Sequence, residues 1–133
     1  MQTFLPYADF IKSAKCLDYR RLGKQRVEAK QIIECLEGKS NLGWRHHPAV
    51  KMWKGYLPAL KFYYNVILSE WTSRGYVNNM PPMIMDDEDI KFPPWFGRKD
   101  FHDAHKSKLL QKDYEYYKKF NWVVPLDLKY KWS

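Results

Sequence analysis

The chain has 133 residues, enough to bury the core of one domain, and 23 Lys and Arg against 15 Asp and Glu give it a formal net charge of +8. This balance favours an acidic partner, with nucleic acid ahead of a membrane surface. Aromatic residues make up 17% of the chain, so we expect some rings at the surface, where they can stack on bases. Cys16 and Cys35 lie far apart without a C-x-x-C pattern, which indicates free thiols.

The first ten residues, MQTFLPYADF, lack the basic and apolar regions of a secretory signal. No apolar run approaches the length of a membrane span. We therefore expect an intracellular protein, cytoplasmic or nucleoid-associated, without membrane contact. No P-loop, nucleophile elbow, metalloprotease HExxH or dinucleotide fingerprint is present, so no cofactor and no metal are expected.

Helical periodicity dominates the first half of the chain. A short helical turn is predicted near residues 8–15. Apolar residues that include Val27 predict a helix over about residues 18–37, with Gly38 as its C-terminal cap.

The longest apolar pattern begins after a loop, at Pro48, which suits the first position of a helix. Apolar residues recur at steps of three and four from Val50 to Trp71, which predicts one long helix. Pro58 is expected to kink it and Gly75 to end it.

Residues 77–99 contain two Pro-Pro pairs and the acidic run 86–89, which indicates a long irregular connection. A third helix is predicted over about residues 101–119, with Leu110, Tyr114 and Tyr117 inward. The strict alternation of residues 126–132 predicts an extended tail across the body. The sequence therefore predicts an all-α, compact single domain of about three main helices, with a Pro-rich loop and an extended C-terminal tail.

Residues 16–28, CLDYRRLGKQRVE, place four cations within seven positions of an otherwise amphipathic helix: Arg20, Arg21, Lys24 and Arg26. Cations this close repel one another, and a phosphate-bearing partner relieves the repulsion. Gly23 in mid-helix costs about 1 kcal/mol relative to Ala, which predicts that a backbone or a ligand approaches closely there. A solvated charged face in which Asp18 pairs with Arg21 explains the same residues about equally well.

A second cluster, Trp44 to His47, stands at the start of the long predicted helix. The unpaired N–H groups and the dipole of a helix N-terminus favour anions, so Arg45 and His46 suit a phosphate site. Adjacent histidines point in different directions, which speaks against a metal site.

Two stretches of the C-terminal third also carry positive charge. In residues 101–106, FHDAHK, we expect His105 and Lys106 to contact phosphate rather than ligate a metal. In residues 112–122, lysines alternate with rings, which suits a groove where Lys112 neutralises phosphate and Tyr116 stacks on a base.

The order of these pieces resembles the pyrimidine-dimer DNA glycosylase and AP lyase family of the viral endonuclease-V type. The resemblance rests on Tyr19-Arg20-x-Leu22, on Ser73-Arg74-Gly75-Tyr76, on the basic stretch 106–112 and on the Tyr-rich segment 114–118. The resemblance covers most of the chain. The stretches WRHHPAVKMWKGY and DAHKSKLLQKD are more similar to a bacterial-type branch of the family than to its viral enzymes. The resemblance implies one all-α domain over residues 1–133 and damaged duplex DNA as the partner, with a monomer assumed.

The resemblance also implies a reaction. The N-terminal α-amine attacks C1′ of the damaged nucleotide, forms a Schiff base, expels the base and permits strand cleavage by β-elimination. Free α-amines have a pKa of about 7.7 to 8.0, so a useful fraction is nucleophilic at neutral pH. A carboxylate stabilises the cationic sugar and moves protons, and arginines hold the phosphates of a bent, partly unstacked duplex.

Two departures from the family pattern affect the expected site. Gln2 follows Met1 where the family exposes a small residue, so Met1 is expected to stay and to supply the amine. Arg21 stands where the family has its catalytic Glu after the Tyr-Arg pair. The carboxylate is therefore expected from Asp18, one turn earlier, or from Glu28, two turns later.

We accordingly expect a catalytic set of Met1, Asp18, Arg21 and Glu28. The predicted DNA-contacting set is Arg20, Lys24, Arg26, Trp44, Arg45, His46, His105, Lys106, Lys112 and Tyr116. Two alternatives stay open: a non-catalytic nucleic-acid-binding domain on the same fold, or an enzyme for another nucleobase or nucleotide substrate in which Arg21 holds an anion.

Overall fold

The computed structural model describes residues 1–39, 42–86 and 89–133, with Leu42 as backbone alone. Its six α-helices are α1 (Phe10–Cys16), α2 (Tyr19–Leu36), α3 (Pro48–Lys51), α4 (Leu57–Ser73), α5 (Lys99–Lys112) and α6 (Tyr114–Tyr117), with short 3-10 helices at Leu42–Trp44 and Lys118–Phe120. No residue within the described ranges belongs to a β-strand. The all-α prediction is therefore confirmed.

The first two helices begin and end close to the predicted positions. The Asp9 carboxylate accepts from the backbone N–H of Lys12 at 2.8 Å and caps α1. Gly38, with φ of +73°, follows α2 as its predicted C-terminal cap. Val27, which the apolar pattern placed inside, is 46% exposed instead.

The long helix predicted from Pro48 to Gly75 is in fact two helices. α3 ends at Lys51, and residues 52–55 form turns in which Gly55 has φ of +86°. This left-handed residue interrupts the helix before Pro58, which therefore falls in the first turn of α4, where its missing N–H costs no helical bond. The predicted kink at Pro58 is wrong for this reason, whereas Gly75 ends α4 as predicted.

The third predicted helix is also divided. The backbone of Asp113 leaves the helical region at φ −153° and ψ 76°, and its side chain accepts from Tyr116 N–H at 3.3 Å to start α6. This turn leaves Tyr114 52% exposed, although the sequence pattern placed it inside, while Tyr117 is buried as predicted. Beyond residue 121 the chain forms no helix, and alternate tail residues, Tyr130 and Trp132 among them, pack on the core.

The described helices share one hydrophobic core, and its most extensive contact joins α2 to α4. Many of the largest fully buried side chains are aromatic: Trp53, Tyr63, Tyr64, Phe101 and Tyr117. Cys16 and Cys35 are buried and form no disulfide. Within the described ranges, no helix has the length and hydropathy to cross a membrane. Residues 77–86 and 89–98 are irregular, and Asp87 and Glu88 of the acidic run lie outside the described residues.

Candidate active site

The chain start runs through the interior of the protein. Trp53 Nε1 donates to Thr3 Oγ1 at 3.2 Å, and the Tyr130 hydroxyl donates to the Thr3 carbonyl. The Tyr63 hydroxyl accepts from the Phe4 N–H at 3.4 Å. Side chains from distant parts of the chain, of which Trp53 and Tyr63 are fully buried, thus fix the first residues.

Two buried histidines of α5 hold the backbone of Leu5 from both sides. His105 Nδ1 accepts from Leu5 N–H at 3.0 Å, so its Nε2 carries the proton and donates to the Lys131 carbonyl at 2.9 Å. His102 Nε2 accepts from Gly97 N–H at 2.9 Å, so its Nδ1 donates to the Leu5 carbonyl at 2.7 Å. Both rings must be neutral to make these bonds.

Burial enforces this neutral state at His105. It lowers the pKa of the fully buried His105 to about 3, against the opposing effect of the bond to Lys131. Burial also lowers the pKa of His102. The structure therefore places His105 in the core with both ring nitrogens engaged, and we leave it out of the proposed DNA-contacting set.

A carboxylate of α2 lies directly at the chain start. The backbone N–H of Gln2 donates to Glu28 Oε2 at 2.9 Å, and Gln25 Nε2 donates to the Gln2 carbonyl at 2.8 Å. Gln25 is buried, and its Oε1 accepts from the Tyr63 hydroxyl, which fixes the orientation of the amide. Glu28 stands seven residues after Arg21, two helical turns along the same face. The carboxylate that contacts the chain start is thus that of Glu28.

The amine of Met1 lies elsewhere. Among the described residues, no carboxylate is within 4.0 Å of this nitrogen. Its positive charge reaches His47, where burial and then the charge of the chain start lower the imidazole pKa. The nitrogen beside Glu28 is therefore that of Gln2 and not that of Met1.

A cationic pocket surrounds the contact between Gln2 and Glu28. Its volume is about 440 Å³, within the range of small-molecule and cofactor sites. The lining residues are Gln2 and Phe4 from the chain start, Arg20, Arg21, Lys24, Gln25 and Glu28 from α2, and Lys112 from the last turn of α5. Four cations thus face one carboxylate, an arrangement that suits a phosphate-bearing ligand.

The ammonium of Lys112 lies among the other positive charges of the pocket. Burial lowers the pKa of its ammonium, and the charges of Arg21, Lys108 and Lys24 lower it further, while Glu28 raises it. An anion in the pocket would relieve the repulsion that these neighbours exert on Lys112.

Asp18, the other carboxylate candidate, is engaged away from the chain start. It forms an ion pair with Arg21 at 3.2 Å, accepts from the Tyr117 hydroxyl and donates its backbone N–H to that hydroxyl at 3.0 Å. Burial acts to raise the pKa of Asp18, but the hydrogen bonds from Tyr117 and Arg21 outweigh it and the pKa is lowered. Asp18 is therefore an ionised carboxylate that ties α2 to α6.

The cluster before α3 lies on the surface, outside the residues that line the pocket. Trp44, Arg45 and His46 are exposed. His47 is half-buried, and its Nδ1 accepts from Ala49 N–H at 3.0 Å as the cap of α3. His47 therefore has a structural role as the cap of α3.

Two predicted DNA contacts of the C-terminal third are partly buried. The ammonium of Lys106 lies 5.3 Å from the centroid of the Tyr7 ring. Tyr116 packs at the edge of Tyr117, and Lys119 Nζ lies 3.8 Å from its centroid. Neither residue lines the pocket around Glu28.

On the other flank of α2, three rings form a surface feature that we call the aromatic ledge, defined by Tyr19, Trp71 and Tyr76. Arg26 lies over Trp71, 4.0 Å from the ring centroid, rather than in the pocket. A Cβ on Gly23 would lie 3.2 Å from Cζ3 of Trp71. The close neighbour expected at Gly23 is therefore a tryptophan ring and not a backbone or a ligand.

The residues that position the chain start, chiefly Gln25, Tyr63 and His102, are not among those predicted from the sequence. A signal existed for Gln25, because it interrupts the core-facing stripe of α2 between Leu22 and Ala29. Tyr63 sits in an aromatic helix where its hydroxyl has no distinguishing pattern. No three of the described His, Cys, Asp and Glu side chains come close enough together to hold a metal ion.

The sequence model of the pyrimidine dimer DNA glycosylase family matches residues 1–83, more than half of the chain. The matched part contains α1 to α4 and includes Gln2, Glu28 and the cations of α2. The protein is thus a DNA-repair glycosylase whose substrate is DNA. It belongs to the pyrimidine dimer DNA glycosylase family, which confirms the resemblance found in its sequence. No curated protein and no solved structure matches the chain.

Proposed function

We propose that the protein is a DNA glycosylase with AP lyase activity on damaged duplex DNA, in which the amine at the start of the chain is the nucleophile. The observation that supports this most strongly is the contact of 2.9 Å between the Gln2 nitrogen and Glu28 Oε2 inside the cationic pocket. A nucleophile and its acid/base partner need this hydrogen-bond distance. The family membership supplies DNA as the substrate.

The position of the contact favours Gln2 over Met1 as the reacting residue. A chain that begins at Gln2 presents its α-amine where the amide nitrogen now lies, beside Glu28. In a chain that keeps Met1, the amine lies one residue farther out, a step of about 3.8 Å between α-carbons. The bulk of Gln2 favours retention of Met1, so the two forms have to be compared directly.

Glu28 has a defined part in the proposed reaction. The amine lone pair forms a bond to C1′, and the C1′–N bond to the base breaks with its electron pair leaving on the base, which takes a proton from solvent water. Glu28 accepts the proton that the amine loses and returns it to the sugar ring oxygen as the ring opens to the imine. A water molecule then takes a C2′ proton, the C2′=C3′ double bond forms, and the C3′–O bond breaks with its electron pair leaving on the phosphate, which cuts the strand.

The cations of the pocket hold the substrate phosphates in this proposal. Arg20 and Lys24 are exposed on α2, and Lys112 faces them from α5. Arg21 also lines the pocket, although its ion pair with Asp18 offsets part of its charge. Arg20, Lys24 and Lys112 are therefore the proposed principal phosphate contacts.

Borohydride trapping on abasic and UV-irradiated duplexes tests the proposal. Three forms are compared: a chain that begins at Met1, a chain that begins at Gln2, and the latter with Gln2 cyclised so that no free amine remains. We expect a covalent adduct that peptide mapping places on Gln2, a slower reaction of the Met1 form and none of the cyclised form.

The proposal is wrong if neither free form is trapped, or if the cyclised form is trapped equally well. A protein that binds these duplexes without any adduct would instead fit the non-catalytic alternative. Its log affinity would still fall by about 0.9 per phosphate contact for each log unit of salt.

A further inference from the structure

The aromatic ledge presents two exposed rings on a buried one. The Tyr19 ring stacks on Trp71, with centroids 5.5 Å apart and planes inclined by 18°. Tyr76 lies against both, with centroids 4.5 Å from Trp71 and 4.9 Å from Tyr19. Trp71 is buried, whereas Tyr19 is 55% and Tyr76 37% exposed. Aromatic faces of this kind are where unpaired bases stack.

The ledge is held in place by its surroundings. Trp71 Nε1 donates to the Val77 carbonyl at 3.0 Å, and the Arg26 guanidinium covers the ring at 4.0 Å. Gly23 lets α2 approach the same ring, and this glycine lowers the helix propensity of α2 by about 1 kcal/mol relative to alanine. Trp71, the ring against which Tyr19 and Tyr76 lie, is therefore fixed before any ligand binds, which reduces the entropy lost on binding.

The ledge and the pocket lie on opposite flanks of α2. At 100° per residue, Arg21, Gln25 and Glu28 face the pocket, whereas Tyr19, Gly23 and Arg26 face the ledge. Arg20 and Lys24 stand exposed on the crest between the two flanks. Among the described residues neither of them forms an ion pair, so both are available to phosphates that cross the helix.

We propose that the aromatic ledge stacks on an unpaired base of the bound DNA, about three nucleotides from the sugar that reacts in the pocket. The spacing follows from the helix diameter of about 10 to 12 Å and the rise of 3.4 Å per nucleotide along a strand. The inference rests on the proposed function in one respect, because it takes the pocket as the site of the reacting sugar. DNA with an unpaired base at this spacing is then a better ligand than fully paired DNA.

The test uses duplexes that carry one uncleavable abasic analogue and one bulged 2-aminopurine, placed one to six nucleotides away on either strand. Dissociation constants are measured by fluorescence anisotropy for the full chain and for Tyr19→Phe, Tyr19→Leu and Tyr76→Leu. Ile11→Ala on α1 is the control, because Ile11 is 53% exposed and lies outside both the ledge and the pocket.

We expect the bulge to tighten binding at a spacing near three nucleotides, with quenching of 2-aminopurine at that position. The two leucine variants are expected to lose at least about fivefold in affinity for that duplex. They should bind the duplex without a bulge normally, and Tyr19→Phe and Ile11→Ala should behave like the unchanged protein. Quenching in the unchanged protein supplies a readout that does not depend on the folding of any variant.

The ledge proposal is overturned if the leucine variants weaken both duplexes equally, or if no spacing of the bulge alters affinity or fluorescence. Borohydride trapping of the same variants separates this result from a failure of the proposed chemistry. If the protein is trapped but its binding does not depend on the ledge, the base-stacking proposal alone is wrong. If binding depends on the ledge but no adduct is trapped, the proposed chemistry is wrong and the protein binds DNA by stacking on a base.

Discussion

The backbone N–H of Gln2 and the carboxylate of Glu28 meet at 2.9 Å although 26 residues separate them in the sequence. Gln25, one turn before Glu28, holds the carbonyl of the same Gln2 at 2.8 Å. One face of α2 therefore fixes both polar groups of the Gln2 backbone. The proposed chemistry depends on this pair.

Replacement of Glu28 by Gln removes the proposed proton-transfer group at nearly constant volume. We expect the single-turnover rate of strand cleavage at an abasic site to fall by about 10² to 10⁴, as for the loss of a general acid/base. DNA affinity should be unchanged or higher, because a negative charge leaves a cationic pocket. Glu34→Gln, the same change farther along α2, is the matched control. A Glu28→Gln protein that cleaves at the normal rate would remove Glu28 from the mechanism.

Replacement of Asp18 by Asn is expected to affect stability and not chemistry. The change weakens the ion pair with Arg21 and the bond from the Tyr117 hydroxyl, and the loss of such charged hydrogen bonds costs about 1.5 to 3 kcal/mol. Urea denaturation at pH 7 measures this loss, and the cleavage rate per folded molecule should stay within a few-fold of normal.

The pH dependence of the Asp18→Asn effect has a definite sign. The pKa of Asp18 is lowered in the folded protein, so its contribution is present above the unfolded value of about 3.9 and is lost as the pH falls through the folded value. The stability difference between the two proteins should therefore shrink below about pH 4. A large loss of cleavage rate in a stably folded variant would restore Asp18 as a catalytic candidate.

Replacement of His105 by Gln is expected to flatten the acid side of the stability profile. The folded pKa is about 3 against 6.5 for the unfolded chain, so the unfolded state binds the extra proton between these values. The His105 contribution is complete above about pH 6.5 and falls as the pH is lowered toward 3, by up to about 1.4 kcal/mol per pH unit. Thermal or urea unfolding between pH 4.5 and 7.5 measures the slope.

The His105→Gln protein should be less stable than the unchanged protein at pH 7.5, with a shallower slope below pH 6.5. Some slope should remain, because the pKa of His102 is lowered as well. His46→Gln, at an exposed histidine, should run parallel to the unchanged protein. Equal slopes in all three proteins would contradict the neutral, buried state assigned to His105.

Replacement of Gly23 by Ala has two opposing effects on the free energy of unfolding. It raises the helix propensity of α2, and it overpacks the contact with Trp71. The new Cβ would lie 3.2 Å from Cζ3 and 3.3 Å from Cη2 of Trp71, and Arg26 and the bond to Val77 restrain that ring. Overpacking of about 1 to 3 kcal/mol then exceeds the propensity gain of about 1 kcal/mol, and we expect a net loss of up to about 2 kcal/mol.

A double-mutant cycle with Trp71→Phe isolates the steric part of this effect. Phenylalanine lacks the two ring atoms that the Cβ meets, so Gly23→Ala in that background should stabilise the protein by up to about 1 kcal/mol. Urea denaturation of the four proteins gives the coupling energy. The same sign of effect in both backgrounds would show that the Trp71 contact is not the reason for the glycine.

Much of the fold follows from local sequence signals. The apolar spacing of α2 and the glycines that end helices act on neighbouring residues, so their effects are visible in the chain itself. The breaks at Gly55 and Asp113 were missed because both lie in apolar patterns that continue across them. A left-handed glycine or a capping carboxylate interrupts a helix without interrupting such a pattern.

The sequence by itself determined the helical class, the family resemblance and the concentration of cations on α2. Only the tertiary structure shows which residues each carboxylate contacts. Glu28 contacts the chain start, whereas Asp18 contacts Arg21 and Tyr117. Helical spacing permitted both residues equally, because it gives the face on which a side chain lies but not what packs against that face. That partner is decided by hydrogen bonds between residues about 100 positions apart, which place the chain start against α5 and Tyr117 of α6 against Asp18.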